Sequence, residues 1–404
     1  MLGLFDHIGP EIPLTLVLFV LLALKARVKP VTRLFIKGNA AQIWNLVVPH
    51  DGKIDRWAEI SAYYRFLDDS RFVLEISIPG QNGASRSHRG TFRISESVEN
   101  QRLVLDRELD GKSENNELLQ IRYDLTAQRA GTRVKTTYLW GRRPLLAQIL
   151  ARADLWGNAF RLKSLAETGK SGNKAFWLIG ALVALVTGAF SLFTFGLFLG
   201  DAFAAVLVLA LFIHEFGHLL AFRMMGQPWG RLVFLPFLGA IAMPRLPFES
   251  QAQSVFAALM GPGLSCLLAI GCTIPSFLGW PHAMAYSIMG LVTAGLNLFN
   301  MLPTEPLDGG VALRSVLGKL IGRYAACGLM AVGMLIAAAG FAMEQTVMVL
   351  FGGFAIVANL KPRRIDVGLM PLTSLQVCIA FLGYVSITAA HYTLFVRFLE
   401  QMGG

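Results

Sequence analysis

The sequence predicts a polytopic α-helical membrane protein of about eight transmembrane helices, with an α+β soluble domain inserted after the first of them. Three observations carry that fold class. Charged residues fill only 15% of the 404 positions and the mean hydropathy is +0.53, whereas soluble domains hold about 25% charged residues. The deficit is uneven, because residues 29–172 hold 23 Lys/Arg and 16 Asp/Glu while residues 173–404 hold 11 and 8. Finally, the second stretch is a row of apolar segments, each close to or longer than the ~20 residues that cross a bilayer. The expected domains are an anchor over residues 1–28, a soluble domain over 29–172 and a membrane domain over 173–404.

The N-terminal apolar run from Pro13 to Leu24 is followed, not preceded, by Lys25, Arg27 and Lys29. No small-residue cleavage site appears, so an uncleaved anchor fits better than a signal peptide. In the soluble domain a strand over Val31–Lys37 meets Asn39, an N-cap residue for a short helix carrying Ile43, Trp44 and Val47. Alternating segments then predict six strands: Ala62–Leu67, Arg71–Ile78, Ser87–Ser95, Arg102–Glu108, Leu118–Thr126 and Arg133–Trp140. A long helix from Pro144 to about Thr168 closes the domain, with Leu146, Ile149, Ala153, Trp156 and Phe160 near one face.

From Lys174 onward seven apolar segments appear, over 175–200, 202–225, 252–279, 283–302, 323–343, 345–360 and 372–397. With the soluble domain in the cytoplasm, the cytoplasmic connections hold Lys174, Arg223, Arg231, Arg245, Arg314, Lys319, Arg323, Lys361, Arg363 and Arg364. On the opposite side only Arg397 breaks the positive-inside rule. All four cysteines lie in apolar segments, so neither a disulfide framework nor a thiolate metal site is expected. The excess of basic residues carries no basic-aromatic pattern, which argues against a nucleic-acid partner.

Chemistry concentrates in the segment AFAAVLVLALFIHEFGHLLAFRMMG. His214 and His218 are four apart, so a helix brings both imidazoles to one face, where they can share a Zn²⁺ while Glu215 acts on a metal-bound water. Ionisable groups at mid-helix in a bilayer cost about 2.5–3.5 kcal/mol each on insertion scales, which makes them functional by default. A third ligand is needed. The acids not at helix ends are Glu305 and Asp308, in NLFNMLPTEPLDGGVALRS, where Pro303 and Pro306 break the helix and Gly309-Gly310 permit a close turn. The rival histidines, His282 and His391, lie toward the opposite face by the topology above.

HEFGH in one apolar helix, Gly261-Pro262 in a later one, and N-x-x-P-x-x-P-L-D-G-G from Asn300 resemble the site-2 protease family of intramembrane zinc metalloproteases, over about residues 175–320. The resemblance implies that His214, His218 and Asp308 hold one Zn²⁺ per chain. It makes Glu215 the general base and gives Asn300, eight residues before Asp308, a role in holding the substrate backbone. It also implies that the Pro/Gly-broken stretch 227–248 forms a membrane-embedded β-loop. Ser265 stands where many members have Asn, a departure that affects packing, and there is no PDZ-like insertion. Separately, the order β-α-β6-α of the soluble domain, opening on FIKGNAAQIWNLVVP and closing on FRLKSLAE, resembles the helix-grip fold of START-like (SRPBCC) domains, which often enclose an apolar ligand.

The implied activity is hydrolysis of a peptide bond in or near the transmembrane segment of a membrane-anchored protein, regulated by the soluble domain. The expected partners are that substrate, the lipid bilayer, and an apolar ligand or a protein at the soluble domain. The expected location is a bacterial inner membrane with the site on the cytoplasmic side. The competing reading is a non-proteolytic receptor or lipid-binding protein with a structural zinc site, and the intact Glu215 argues against it. A transporter fits less well, because no inverted repeat is visible.

Overall fold

The computed structural model describes residues 25–57, 60–79, 85–109, 117–170, 174–236, 239–245, 248–360 and 369–403. They belong to two compact units, Met1–Leu182 and Val183–Gly404. The apolar run expected to anchor the N-terminus lies outside the described residues.

Among the described residues of the first unit, nine strands build one antiparallel sheet. They are β1 (Lys25–Val28), β2 (Val31–Ile36), β3 (Ile54–Trp57), β4 (Ile60–Phe66), β5 (Arg71–Pro79), β6 (Ser85–Val98), β7 (Arg102–Glu108), β8 (Leu118–Gln128) and β9 (Gly131–Pro144). The order is β1-β9-β8-β7-β6-β5-β4-β3, with β2 also paired to β9. β2 lies against residues 132–137 of β9 and β1 against residues 140–144. Two strands, β1 and β3, go beyond the expected set; both are only four residues long, too short for alternation to stand out.

Helix α1 (Ala40–Val47) starts at Asn39 as expected. Asn39 Oδ1 accepts from Gln42 N at 2.7 Å, and Gln42 Oε1 accepts from Asn39 N at 3.2 Å, a reciprocal capping box. Helix α2 (Leu145–Thr168) closes the unit. Ile36, Ile43, Phe72, Phe92, Leu103 and Val134 form the core, with Leu162 and Ala166 of α2 packed on it. The face of α2 that packs inward differs from the expected one. Ala151, Leu155 and Ala159 are buried, whereas Ile149, Trp156 and Phe160 are at least 36% exposed. Apolar side chains occur all round α2, so periodicity gave no unique face, and the small alanines are what allow close approach.

The second unit is helical. Its elements are α3 (Lys174–Leu199), which begins before the division, α4 (Asp201–Met224), the hairpin β10 (Arg231–Leu235) and β11 (Gly239–Met243), α5 (Gln251–Gly271), the single turn α6 (Ile274–Phe277), α7 (Ala283–Asn300), α8 (Asp308–Ile321), α9 (Ala325–Ala342), α10 (Thr346–Asn359) and α11 (Ser374–Gly403). Each of the seven apolar segments is helical. Among the described residues, five stretches are long and apolar enough to cross a membrane: Trp177–Leu199, Asp201–Met224, Gln251–Phe277, Asp308–Ala342 and Ser374–Met402. The remaining two are shorter, with 18 residues in α7 and 14 in α10. Large apolar side chains point outward along α3, including Leu185 and Phe193, as expected for a surface that meets lipid.

Candidate metal centre

Helix α4 carries the histidines. Its first turn holds Asp201 and its last holds Arg223, each suited to the helix dipole at that end. It stops at Gly226, whose φ of +78° is the left-handed conformation of a helix-terminating glycine, and Gln227 N donates back to Phe222 O. His214 and Glu215 are buried within this helix and His218 is partly buried.

α4 crosses α5 where both helices lack side chains. A Cβ on Gly217 would sit 2.3 Å from the Met260 carbonyl oxygen, and one on Gly261 would sit 2.5 Å from His218 Cε1 and Nε2. Small residues at such a crossing let two backbones approach. The contact lays the His218 ring directly on Gly261.

Asp308 is the first residue of α8 and follows the proline-broken segment. Gly309 and Gly310 are required there, since a Cβ on either would fall 2.1 Å from backbone atoms of Met301 or Thr304. The irregular backbone between α7 and α8 satisfies its polar groups from neighbouring helices, as it must within a bilayer. Asn359 Nδ2 donates to Pro303 O at 2.8 Å, and the Tyr384 hydroxyl donates to Met301 O at 2.9 Å. Arg314 Nη1 donates to Glu305 Oε2 at 2.7 Å. Glu305, the other acid open at the sequence level, is thus tied to Arg314.

Three donors converge. His214 Nε2 and His218 Nε2 are 3.1 Å apart, and Asp308 Oδ2 lies 3.1 Å from the first and 3.5 Å from the second. The orientation of each ring follows from its other nitrogen. Asn297 Nδ2 donates to Thr293 O at 2.8 Å, which turns Asn297 Oδ1 toward His214. His214 Nδ1–H therefore donates to Asn297 Oδ1 at 2.7 Å, and His218 Nδ1–H donates to Ala257 O at 2.7 Å. In the neutral imidazoles this leaves both Nε2 lone pairs facing one carboxylate oxygen, an arrangement that a shared cation makes favourable. Tetrahedral zinc with ligands at ~2.0–2.1 Å sets its donors about 3.3–3.4 Å apart. The three separations bracket that value, so the residues fit zinc.

Glu215 is placed differently. Its carboxylate lies within 4.8 Å of both histidine nitrogens, and its Oε2 accepts a hydrogen bond from the Ala242 backbone N–H of β11. The stretch 227–248 thus contains a β-hairpin, and both edges of the hairpin are tethered: Ala242 to Glu215, and Phe234 N to Thr187 Oγ1 of α3 at 3.2 Å.

Asn300, at the C-terminus of α7, is half-buried and is not among the groups bonded to the histidines. Asn297, one turn earlier and fully buried, bonds His214. The resemblance gave Asn300 a different role, holding substrate backbone; the sequence signal for Asn297 was the cost of an amide in an apolar helix. His391 is fully buried with Nε2 2.9 Å from Pro262 O, and Ser265 is fully buried on the same helix as Pro262. His282 lies on the surface at the start of α7.

The chain resembles zinc metalloproteases. It is 31% identical over 130 residues to a zinc metalloprotease of Methanocaldococcus jannaschii, which covers 30% of this chain and 37% of that one. It is 30% identical over 127 residues to a Synechocystis protein named as a zinc metalloprotease, covering 31% and 33%. The chain thus spans about a third of the length of the curated relatives it matches. No family model matches it. Among solved structures, a site-2 protease from M. jannaschii aligns over 46% of this chain and 90% of its own at 20% identity, with a TM-score of 0.30. An Aha1 dimer from Colwellia psychrerythraea aligns over 35% and 98% at 16% identity, with a TM-score of 0.25. The di-domain ARO/CYC StfQ of steffimycin biosynthesis aligns over 35% and 50% at 15% identity, with a TM-score of 0.27.

Proposed function

We propose that the protein is an intramembrane zinc endopeptidase of the site-2 type, holding one Zn²⁺ per chain and cutting a peptide bond in or near the transmembrane segment of a membrane-anchored protein. The convergence of His214 Nε2, His218 Nε2 and Asp308 Oδ2 beside Glu215, inside an apolar helix, carries this reading. In it those three residues are the ligands, Asn297 and Ala257 O fix the two imidazoles, and Asn300 holds substrate backbone. Bound zinc supplies Lewis acidity and a water of lowered pKa.

The chain's own groups account for the rest. Glu215 accepts the proton of the attacking water and returns it to the leaving amine. An unwound substrate segment pairs as a strand with the outer edge of β11. That pairing takes up the Ala242 N–H and releases Glu215 Oε2, so the base becomes available when substrate is seated. The distribution of Lys and Arg supports a cytoplasmic soluble domain and a site opening on the cytoplasmic half of the membrane; the reading further takes the chain to have eight membrane helices and to sit in a bacterial inner membrane. The soluble domain regulates which substrates reach the site.

The reading is tested by reconstituting the chain in proteoliposomes with candidate single-pass proteins. Cleavage is expected to stop on zinc chelation and to return when zinc is added back. Cleavage that continues without metal contradicts it.

A further inference from the structure

Three neighbouring strands of the first unit, β1, β2 and β9, carry cations and no acid. Residues 25–38 hold five Lys or Arg and residues 129–144 hold five more, with no Asp or Glu in either stretch. Alternation divides the β2–β9 pair between two faces of the sheet. Thr32, Ile36, Val134 and Thr136 are buried on the face that α2 covers. Val31, Arg33, Phe35, Arg133 and Lys135 therefore lie on the outer face. There Arg33 stands directly opposite Lys135, and Phe35 opposite Arg133. Like charges opposed across two strands destabilise the pair, a cost that an anionic partner removes.

These cations are not neutralised within the domain. Among the described residues, none of Lys25, Lys29, Arg33, Arg133, Lys135 and Arg142 forms an ion pair. The acids on adjoining elements are committed elsewhere. Asp124, opposite Lys135 on β8, accepts from Arg102 at 2.7 Å and from Arg122 at 3.0 Å. Glu117 pairs with Arg107 and Glu167 with Lys163, while Asp154 and Glu117 act on Arg143. Arg27 and Arg143 have contacts of their own, Arg143 lying over the Trp140 ring at 4.0 Å.

Two further features indicate what the face meets. Val31 and Phe35 are 38% and 36% exposed among the cations, and apolar side chains interleaved with basic ones suit the headgroup layer of a bilayer. Lys25 also follows directly on the apolar run Pro13–Leu24 that is expected to anchor the chain. We propose that the outer face of β2 and β9 docks on an anionic phospholipid surface, with Arg33, Arg133 and Lys135 on the headgroups and Val31 and Phe35 entering the layer between them. The inference concerns the first unit alone and stands independently of the protease reading.

The test uses the full chain in nanodiscs and follows lysine acetylation by mass spectrometry. Each cation near an anionic surface contributes about fivefold to docking. Replacing a third of the phosphatidylcholine by phosphatidylglycerol is therefore expected to slow acetylation of Lys29 and Lys135 at least about fivefold, with Lys163 on α2 changing by less than about twofold. Salt at about 1 M, where the Debye length is about 3 Å, is expected to restore both rates. Arg33→Gln combined with Arg133→Gln, both at exposed positions, is expected to erase the lipid dependence at Lys29 and Lys135. If that pair fails to fold by thermal melting, Lys135→Gln read at Lys29 decides. Equal rates in the two lipids, equal slowing at Lys163, or a lipid dependence unchanged in the variant overturns the proposal. Slowing by added polyglutamate in phosphatidylcholine, with none from phosphatidylglycerol, overturns it in favour of an acidic protein.

Discussion

Replacing Asn297 by Leu isolates the support given to His214. The side chain is fully buried and similar in volume to leucine, so the change removes one acceptor with little loss of packing. His214 Nδ1–H, 2.7 Å from Asn297 Oδ1, is then left without its acceptor in an apolar interior. An unpaired buried donor costs about 1–3 kcal/mol, and at 1.4 kcal/mol per decade this amounts to roughly 5- to 150-fold in zinc affinity. Loss of a partner to a metal-bound histidine typically weakens binding by about 10- to 100-fold, within the same range. Chelator competition in detergent measures the zinc dissociation constant directly, with thermal melting to confirm folding. Asn297→Asp keeps the oxygen and is expected to stay within a few-fold of the wild-type protein. Asn300→Ala is expected to leave zinc affinity alone while lowering cleavage. A zinc affinity for Asn297→Leu within twofold of wild type would refute the reasoning.

Other perturbations follow from the same contacts. Gly261→Ala places a methyl 2.5 Å from the His218 ring, so zinc affinity and cleavage are expected to fall together with a stability loss of about 1–3 kcal/mol, read by chelator competition and melting. Asn359→Leu removes the donor to Pro303 O and is expected to cost about 1–3 kcal/mol, with cleavage reduced and zinc retained. In the soluble domain, burial opposes the Asp124 charge, but hydrogen bonds from Arg122 and Arg102 outweigh it and hold the carboxyl below its ordinary value of 3.8. A depressed folded-state value stabilises above the ordinary value and ceases to do so as pH falls through the folded one. Asp124→Asn is therefore expected to melt below wild type at pH 6, with the difference shrinking from about pH 4 downward; a difference independent of pH contradicts this.

Much of the architecture was legible because its signals are local. HEFGH marks one helical face through the i, i+4 spacing of His214 and His218, and Pro303 and Pro306 mark a break that requires buried partners. Asn39 marked the start of α1 as an N-cap, to which the structure adds Gln42 as its capping-box partner. The rest depends on contacts distant in sequence. Asn359 and Tyr384 support the broken segment from helices dozens of residues away, and no pattern around either shows what it faces. Asn297 went unread because the pattern of an apolar helix does not reveal which amide turns toward a histidine on another helix. The buried face of α2 was hidden for a related reason, since Ala151 and Ala159 pack closely by being small while the larger Trp156 and Phe160 remain outside.

The central claim is that Glu215 acts on the substrate water and takes no part in holding zinc. The direct measurement is the cleavage rate of one reconstituted single-pass substrate by wild type and by Glu215→Gln, with bound zinc quantified in the same samples. The expected result is full zinc content in both proteins and a rate lowered by about 10²–10⁴-fold in the variant. Cleavage by Glu215→Gln at the wild-type rate, or loss of its zinc, would contradict that claim.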